Sequence, residues 1–305
     1  MTKVFIDGSA GTTGLRIHER LAARSDIELL TLSEEFRKDE AARREIINKA
    51  DIVYLCLPDD AAKQAVTFVN GNTRVIDTST AHRTDSGFVY GMPELNGLRD
   101  KIKNAQFVAN PGCHASGFIA LIAPLIESGA LDRSARLSCT SITGYSGGGK
   151  KMIAEYEAEN RELLLNAPRH YALSGTHKHQ KEMSVITGIE NYPVFSPIVA
   201  PFYSGMLVTV PLFKEDIKAT PEEIKAIYKN YYSGPVIRFN NSDENGFLSA
   251  VALGGRDDME ISVFGNSDRI LLAARYDNLG KGASGAAIQN MNIMLGTDEC
   301  LGLQF

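Results

Sequence analysis

The segment Asn110-Pro111-Gly112-Cys113 places a thiol at the start of a predicted helix. Asparagine is a good helix cap and proline favours the first helical position, so Cys113 is expected about one turn into that helix. The positive end of the helix dipole lowers the pKa of a thiol there, and the thiolate is the nucleophilic form. Cys113 is therefore the candidate nucleophile, whereas Cys56, Cys139 and Cys300 have no such setting.

A thiolate nucleophile needs a group that moves protons, and histidine does this near neutral pH. His177 and His179 stand two residues apart, which places both rings on one face if the segment is extended. One ring would act as general acid and base, and the other would contact the substrate. A pair of exposed polar histidines is the alternative. A metal site is less favoured, because no cysteine or carboxylate stands at ligand spacing.

Three glycines, Gly8, Gly11 and Gly14, connect the first predicted strand to the first predicted helix. Glycines in such a turn let backbone N–H groups approach a pyrophosphate at the helix N-terminus. The turn is therefore a candidate dinucleotide site, with Thr12 and Thr13 as further cofactor contacts. A plain strand-to-helix turn is the alternative.

The second predicted strand is followed by Ser33, Arg37 and Lys38. A hydroxyl and two cations suit the 2′-phosphate of NADP, whereas NAD-binding proteins usually have an acidic residue for the 2′-hydroxyl. Glu34 argues against this assignment, and a solvated loop of mixed charge is the alternative. NADP(H) is the favoured cofactor.

Two further segments follow predicted strands and could hold anions through hydroxyl, cationic or backbone N–H groups. Residues 77–83 contain Ser79 and Arg83, and residues 143–150 form a glycine-rich turn that opens a helix. Either could instead be a flexible turn. Ser79 is assigned to the cofactor. The candidate ligands of the substrate and its phosphate are Arg83, Asn110, Gly144, Ser146, Gly147 and Lys150.

The last helical pattern, over residues 282–295, begins with small residues suited to close approach of a cofactor. Gly282 and Asn290 are the candidate contacts, and the helix is expected to return to the first domain and complete its cofactor site. The alternative is that this helix only packs and that Asn290 faces solvent.

These residues need a scaffold that positions them. Strand and helix patterns alternate from residue 3 to residue 109, which predicts a Rossmann-type, doubly wound parallel sheet with helices on both faces. Later strands are longer and alternate in polarity, which predicts a largely antiparallel sheet. These strands are 136–143, 206–213, 236–239, 261–265 and 269–276, and helices 150–165 and 221–232 would cover their sheet.

We therefore expect an α/β protein of two domains. An NADP-binding domain would span residues 1–113 and be completed by the C-terminal helix within 281–305. An α+β domain over residues 114–280 would carry catalysis, substrate binding and oligomerisation.

Composition excludes several classes of protein. The 305 residues are 44% hydrophobic and 23% charged, as in an ordinary soluble globular protein. The net charge of −5 argues against a nucleic-acid partner, and no apolar stretch approaches the roughly 20 residues that cross a membrane. The first residues lack the pattern of a secretory signal, so a cytoplasmic location is expected. The four cysteines lie far apart, which predicts neither a disulfide framework nor a zinc site.

Seven segments, in order along nearly the whole chain, resemble the N-acetyl-γ-glutamyl-phosphate reductase family. They are residues 8–14, 79–83, 90–95, 110–113, 144–150, 177–179 and 281–290. The compact length is similar to the shorter of the family's two subgroups. The family is similar in fold and chemistry to aspartate-semialdehyde dehydrogenase and, more distantly, to glyceraldehyde-3-phosphate dehydrogenase. In two places the chain departs from longer members: His114-Ala115 replaces an aromatic-proline pair, and residues 201–206 lack an arginine.

The resemblance implies NADPH-dependent reduction of N-acetylglutamyl 5-phosphate to the 5-semialdehyde, with release of phosphate, in arginine biosynthesis. It makes Cys113 the nucleophile and assigns acid-base catalysis and substrate contact to His177 and His179. The expected partners are a small acyl phosphate and further copies of the chain, as a dimer or tetramer. The alternatives are the same chemistry on aspartyl phosphate or the aminoadipyl analogue, and a catalytically silent NADP-binding sensor. The intact Cys113 and histidine pair count against a sensor.

Overall fold

The computed structural model describes residues 1–305, which form two compact units. The first unit comprises residues 1–111 and 283–303, and the second comprises residues 112–282 and 304–305. The strands are β1 (Thr2–Asp7), β2 (Ile27–Leu30), β3 (Ile52–Leu55), β4 (Arg74–Asp77), β5 (Val89–Tyr90), β6 (Phe107–Ala109), β7 (Ser138–Gly144), β8 (Arg169–His170), β9 (Val194–Ala200), β10 (Met206–Phe213), β11 (Ile237–Phe239), β12 (Met259–Gly265) and β13 (Arg269–Tyr276). The helices are α1 (Thr12–Ala22), α2 (Glu40–Lys49), α3 (Asp59–Val66), α4 (Leu98–Asn104), α5 (Cys113–Glu127), α6 (Gly149–Glu157), α7 (Lys178–Thr187), α8 (Pro221–Tyr231) and α9 (Gly285–Leu295).

The first unit is built on a six-stranded sheet of order β2-β1-β3-β4-β6-β5, in which every neighbouring pair is parallel. Successive side chains of β1 point to opposite faces of the sheet. Val4 and Ile6 pack in the core with α1, α4 and α9, whereas Phe5 packs with α2 and α3. The doubly wound parallel sheet predicted from the sequence is therefore confirmed.

The winding of this sheet reverses between β1 and β3. In open parallel sheets, ligands bind outside the carboxyl ends of the strands at such a switch point. The turn after β1, which carries Gly8, Gly11 and Gly14, lies at this point.

The second unit is built on a seven-stranded sheet of order β11-β12-β13-β10-β7-β9-β8. Four of its neighbouring pairs are antiparallel, while β11 with β12 and β7 with β9 are parallel. The prediction of a largely antiparallel sheet is confirmed. Helices α5 and α8 pack against the sheet, and the Tyr228 hydroxyl of α8 donates to the carbonyl of Leu121 in α5 at 2.6 Å.

The opposite face of this sheet keeps apolar side chains partly exposed. Ile198, Ile142 and Leu207 stand side by side on β9, β7 and β10 in the strand register. All three are intermediate in burial, whereas the residues that alternate with them are mostly buried. This row of partly exposed apolar side chains on one face of a sheet is surface available for association.

Several elements differ from their predicted form. The strands β8 and β9 and the helix α7 were not predicted; Pro197 argues against a strand, yet β9 pairs with β7 along seven residues. The predicted helix 150–165 ends earlier, at Glu157, and a π-helical turn over Gly280–Ser284 precedes α9. Helix α8 begins at Pro221, as predicted, and Thr220 is its N-cap.

Candidate active site

Cys113 is the first residue of α5, and Gly112 is the N-cap. The expected helix start at Asn110 and Pro111 is wrong, because Gly112 is still extended, with φ −77° and ψ 141°. The Asn110 side chain caps no helix and instead donates to the carbonyl of Ala283 at 3.0 Å. Cys113 nevertheless lies within the first turn, where unsatisfied N–H groups and the helix dipole favour a thiolate.

Three residues distant in sequence lie against Cys113 or against Gly112, which precedes it. Glu182 of α7 accepts the N–H of Gly112 at 2.7 Å, and the Tyr276 hydroxyl donates to the Cys113 carbonyl at 2.5 Å. A Cβ on Gly282 would lie 3.1 Å from the Cβ of Cys113. Gly282, predicted as a cofactor contact, therefore packs against the nucleophile, and the contacts of Glu182 and Tyr276 were not anticipated.

A cluster of three histidines adjoins Cys113, of which His114 and His179 are buried and His177 is half-buried. His114 follows it in α5, and the His114 ring centroid lies 5.7 Å from that of His177 and 5.6 Å from that of His179. The rings of His177 and His179 are themselves 4.7 Å apart. The structure thus brings the predicted histidine pair beside the residue that follows the nucleophile, and the alternative of two exposed histidines is excluded because His179 is buried.

The histidine pair is not on an extended segment as expected. His177 is the N-cap of α7, and its Nδ1 accepts the backbone N–H of His179 at 3.1 Å. The Gln180 side chain accepts the N–H of His177 in return at 2.7 Å, which completes a capping box. Because Nδ1 is an acceptor, the proton of a neutral His177 ring lies on Nε2.

His114 has two hydrogen-bond partners that the sequence did not indicate. Its Nδ1 lies 2.6 Å from the Ser141 hydroxyl and its Nε2 lies 2.7 Å from the Tyr171 hydroxyl. Burial, and secondarily the charge of His177, lower the pKa of His114 to about 3. His114 is therefore a neutral hydrogen-bonding group at physiological pH.

The glycine-rich turn after β7 has a different role at each position. A Cβ on Gly144 would lie 2.4 Å from the Tyr203 carbonyl oxygen, so this glycine permits a close backbone approach within the protein. Ser146 is buried and accepts a hydrogen bond from Asn278 at 2.9 Å. Gly147 and Lys150 are exposed. Of these four predicted residues, therefore, only Gly147 and Lys150 are exposed to solvent.

The turn after β1 in the first unit has no room for a side chain at two of its glycines. Gly8 has φ +90°, and a Cβ there would lie 2.2 Å from the Cys56 carbonyl oxygen, while one on Gly14 would lie 2.5 Å from that of Gly8. Gly11 caps α1 without a side-chain hydrogen bond. The buried hydroxyl oxygen of Thr12 has no partner, and Thr13 is half-buried. This cradle and an orphaned hydroxyl fit a pyrophosphate.

The candidate 2′-phosphate site lies after β2. Ser33 and Lys38 are exposed and Arg37 is half-buried. Arg37 donates to Glu34 at 2.6 Å, so the residue that argued against NADP is an ion-pair partner of the arginine. An exposed ion pair contributes little to stability, which leaves Arg37 able to exchange Glu34 for a phosphate.

The segment after β4 is organised by Asp77. Its carboxylate accepts from the Ser79 hydroxyl at 2.8 Å and lies 2.6 Å from His82 Nδ1. Arg83 is buried, and its Nε donates to the carbonyl of Asn110 at 3.0 Å. Ser79, Arg83 and Asn110 therefore lie at the carboxyl edge of the parallel sheet.

Asn290 of α9 lies among these residues rather than in solvent. It is fully buried, and its Nδ2 donates to the Gly91 carbonyl at 2.9 Å and to Asn110 Oδ1 at 3.2 Å. Its Oδ1 is buried without a partner. A buried acceptor left unsatisfied is costly, so this atom fits a donor of a bound molecule, such as a carboxamide.

Comparison with known proteins decides the family. A family model described as "Semialdehyde dehydrogenase, NAD binding domain" matches residues 3–105, and one described as "Semialdehyde dehydrogenase, dimerisation domain" matches residues 113–278. A protein of Nostoc sp. named N-acetyl-gamma-glutamyl-phosphate reductase 2 is 46% identical over 99% of both chains. A Rhizobium etli protein named N-acetyl-gamma-glutamyl-phosphate reductase is 47% identical over 96% of this chain and 98% of its own. The chain belongs to the N-acetyl-gamma-glutamyl-phosphate reductase family.

Solved structures of other proteins have a fold similar to that of this N-acetyl-gamma-glutamyl-phosphate reductase family member. An aspartate semialdehyde dehydrogenase II from Vibrio cholerae has a TM-score of 0.72 at 18% identity and covers 97% of this chain and 98% of that one. The enzyme from Francisella tularensis has the same TM-score at 16% identity, over 97% of this chain and 100% of that one. At such identities the likeness concerns the fold alone.

Two further observations describe this family member. No group of three or more His, Cys, Asp or Glu side chains is placed to hold a metal ion. No helix is both long and apolar enough to span a bilayer. The match to an NAD-binding domain supports a nicotinamide cofactor in the unit that carries the glycine turn.

Proposed function

We propose that this chain reduces N-acetylglutamyl 5-phosphate to N-acetylglutamate 5-semialdehyde with NADPH and releases phosphate, through a thioester on Cys113. The observation that carries the proposal is a cysteine at the first position of a buried helix, beside three clustered histidines. The names of the relatives, at 46% and 47% identity over nearly the whole chain, support the substrate.

The acylation step begins with the Cys113 thiolate, which attacks the acyl carbon. The bond from that carbon to the phosphate oxygen breaks, and phosphate leaves. Arg83 and Lys150 are the cations proposed to hold the phosphate, with Ser146, Gly144 and Gly147 as lining and Asn110 beside Arg83. The N–H groups at the start of α5 stabilise the tetrahedral oxyanion, where one donor is commonly worth about 3 kcal/mol.

The reductive step uses the histidine pair. When bound, the nicotinamide cofactor supplies the hydride that reduces the thioester. Reduction leaves an alkoxide on the former acyl carbon, and the Nε2 proton of His177 is proposed to hydrogen-bond and stabilise that oxygen until the carbon–sulfur bond breaks, the thiolate of Cys113 leaves and the aldehyde is released. His179 is proposed as the substrate contact, because its buried ring lies 4.7 Å from that of His177.

The proposed cofactor is NADP(H) rather than NAD(H). The glycine turn with Gly8, Gly11 and Gly14 and the side chains of Thr12 and Thr13 would hold its pyrophosphate. Ser33, Arg37 and Lys38 would bind the 2′-phosphate, and Ser79 and Asn290 would line the rest of the site. Gly282 is proposed to keep the approach to Cys113 open.

We further propose that the chain is a homo-oligomer that associates through the second unit. The partly exposed row of Ile198, Ile142 and Leu207 supports this, together with the match to a dimerisation domain. Sedimentation of wild type and Leu207→Lys is the test. A monomeric wild type would refute the proposal.

The deciding assay runs the reaction in the oxidative direction, with phosphate and NADP, on three aldehydes side by side. They are N-acetylglutamate semialdehyde, aspartate semialdehyde and the aminoadipate analogue. The highest kcat/KM is expected for the first. A higher value for either rival would reassign the substrate, and no turnover on any aldehyde would favour a silent sensor.

A further inference from the structure

The hydroxyl of Tyr276 bridges two backbone groups in the first turn of α5. Tyr276 is the last residue of β13 and is fully buried. Its hydroxyl oxygen lies 2.5 Å from the carbonyl oxygen of Cys113 and 3.1 Å from the amide nitrogen of Gly117. In a regular α-helix these two groups bond directly to each other, because each N–H donates to the carbonyl four positions earlier. A side chain from the sheet therefore enters the hydrogen-bond ladder of the helix at the nucleophile.

The direction of both hydrogen bonds is fixed by the chemistry of the backbone. A carbonyl oxygen only accepts and an amide N–H only donates, so the Tyr276 hydroxyl donates to Cys113 and accepts from Gly117. Burial is the largest cause that raises the pKa of Tyr276, so the hydroxyl keeps its proton at physiological pH and remains a donor. The bridge therefore has one orientation.

Gly117 leaves the space that the hydroxyl occupies. A Cβ at this position would lie 2.8 Å from the Tyr276 hydroxyl oxygen and equally close to a methyl carbon of Val208 on β10. Glycine inside a helix costs stability relative to alanine, so its presence within α5 needs a local reason. Here the reason is that the sheet approaches the helix more closely than a side chain would allow.

The same turn is also held at the residue before the nucleophile. The N–H of Gly112 donates to Glu182 at 2.7 Å, and the carbonyl of Gly112 accepts from the N–H of Ser116 at 2.9 Å. Helix ends fray because their terminal groups lack partners within the helix. Cys113 is the first residue of α5, so its position depends on side chains that reach it from α7 and β13.

We propose that Tyr276 is a positioning residue for Cys113, whose hydroxyl bridge fixes the first turn of α5 and thereby the direction from which the sulfur meets the acyl carbon. The proposal rests on the proposed function, in which Cys113 is the nucleophile. Without the hydroxyl, the carbonyl of Cys113 and the N–H of Gly117 can bond to each other, so the turn would tighten and the sulfur would move. A displaced nucleophile loses rate even where the substrate still binds. No covalent bond is made or broken at Tyr276.

The variant Tyr276→Phe removes the hydroxyl and keeps the ring. In the oxidative assay with N-acetylglutamate semialdehyde, phosphate and NADP, kcat should fall at least about tenfold while KM for NADP stays near wild type. Iodoacetamide needs no oriented attack, so its rate of alkylation at Cys113, resolved by peptide mapping, should stay close to wild type. Alkylation reduced as much as kcat would overturn the proposal, since the hydroxyl would then act on the reactivity of the thiol and not on its position. An unchanged kcat would overturn it as well.

Tyr232→Phe is the matched control on the same helix. The Tyr232 hydroxyl is buried and donates to the carbonyl of Ala120 at 2.8 Å. In a regular helix the donor to that carbonyl is residue 124, which here is Pro124 and has no N–H. Tyr232→Phe therefore leaves a buried acceptor unsatisfied, whereas in Tyr276→Phe the two freed groups can pair. We expect Tyr232→Phe to lower the melting temperature more than Tyr276→Phe and to leave kcat near wild type. The same loss of kcat in both variants would overturn the specific role of Tyr276.

Gly117→Ala tests the bridge from its other side. The added methyl group would crowd the hydroxyl, so kcat should fall although alanine favours a helix. Wild-type kcat in this variant would overturn the proposal. Cys139 is buried on β7 and reports any opening of the core, so it should remain as slow to alkylate as in wild type. If Cys139 becomes reactive as turnover is lost, Tyr276 serves the stability of the fold alone.

The failure of the bridge and that of the proposed function are distinguishable. If the wild type turns over none of the three aldehydes, or if Cys113 is not alkylated faster than the other cysteines, the proposed function fails. If the wild type turns over N-acetylglutamate semialdehyde and Tyr276→Phe does so equally well, only the bridge fails.

Discussion

Burial of His114 predicts that the folded protein loses stability as the pH falls below neutral. Its pKa is about 3 in the folded chain, against an ordinary value of 6.5. Between these two values the unfolded chain binds a proton at this ring and the folded chain does not. The free energy of unfolding therefore rises with pH across this window and falls as the solution is acidified.

The size of this loss of stability follows from the folded and ordinary pKa values of His114. From about pH 7 to about pH 5, protonation of the unfolded ring lowers the free energy of unfolding by about 2 kcal/mol. Protonation of His114 in the folded chain contributes nothing in this interval, because the folded-state pKa lies well below the acid end of the interval. The carboxylates of the protein add their own dependence mainly towards the acid end, and they are the same in wild type and variant.

The assay compares wild type with His114→Gln by urea unfolding at both ends of this pH interval. Glutamine can still hydrogen-bond Ser141 and Tyr171 but does not titrate. The variant is less stable at neutral pH, but its stability should fall by about 2 kcal/mol less on acidification. Equal losses in both proteins would refute the inference that His114 is kept neutral by its burial.

Three further changes test the proposed site. Cys113→Ser should abolish turnover and leave NADPH binding, measured by fluorescence, near wild type, because a hydroxyl is a poor nucleophile at neutral pH; substantial residual turnover would remove Cys113 from its role. Arg37→Ala/Lys38→Ala should lower the ratio of kcat/KM for NADP over NAD at least about tenfold, since a 2′-phosphate loses charge-assisted hydrogen bonds; an unchanged ratio would place the phosphate elsewhere. Asn290→Ala should raise KM for NADPH and cost about 1–3 kcal/mol of stability in urea unfolding, because it leaves two buried acceptors unsatisfied; Asn292→Ala, which removes a buried amide from the same helix, should lose stability with KM unchanged.

The parts of the fold that were predictable are those set by local pattern. The bounds of β10 and β13 match the predicted strands, since hydrophobic alternation and turn residues both mark their ends. The cap at Thr220 also follows from neighbouring residues, since Glu223 returns a hydrogen bond three positions later. Such features need no knowledge of distant parts of the chain.

The start of α5 shows how distant contacts override a local preference. Asn110 and Pro111 have the residue types of a helix start, yet the Asn110 side chain binds Ala283 and Asn290, 173 and 180 positions away. A buried amide satisfied by tertiary partners has no reason to cap a helix. The helix therefore begins at Cys113, and its N-cap is a glycine with no side-chain donor or acceptor.

The hydrogen-bond partners of His114 could not be predicted for the same reason. Ser141 and Tyr171 are 27 and 57 positions from His114, and neither lies in a motif. One signal was nevertheless local: a histidine directly follows the nucleophile on a helix that is mostly apolar. A histidine on such a helix is buried, and a buried ring requires a partner for each nitrogen. The sequence could therefore have predicted that two polar partners exist, but only the sheet register and the loop before α7 identify them as Ser141 and Tyr171.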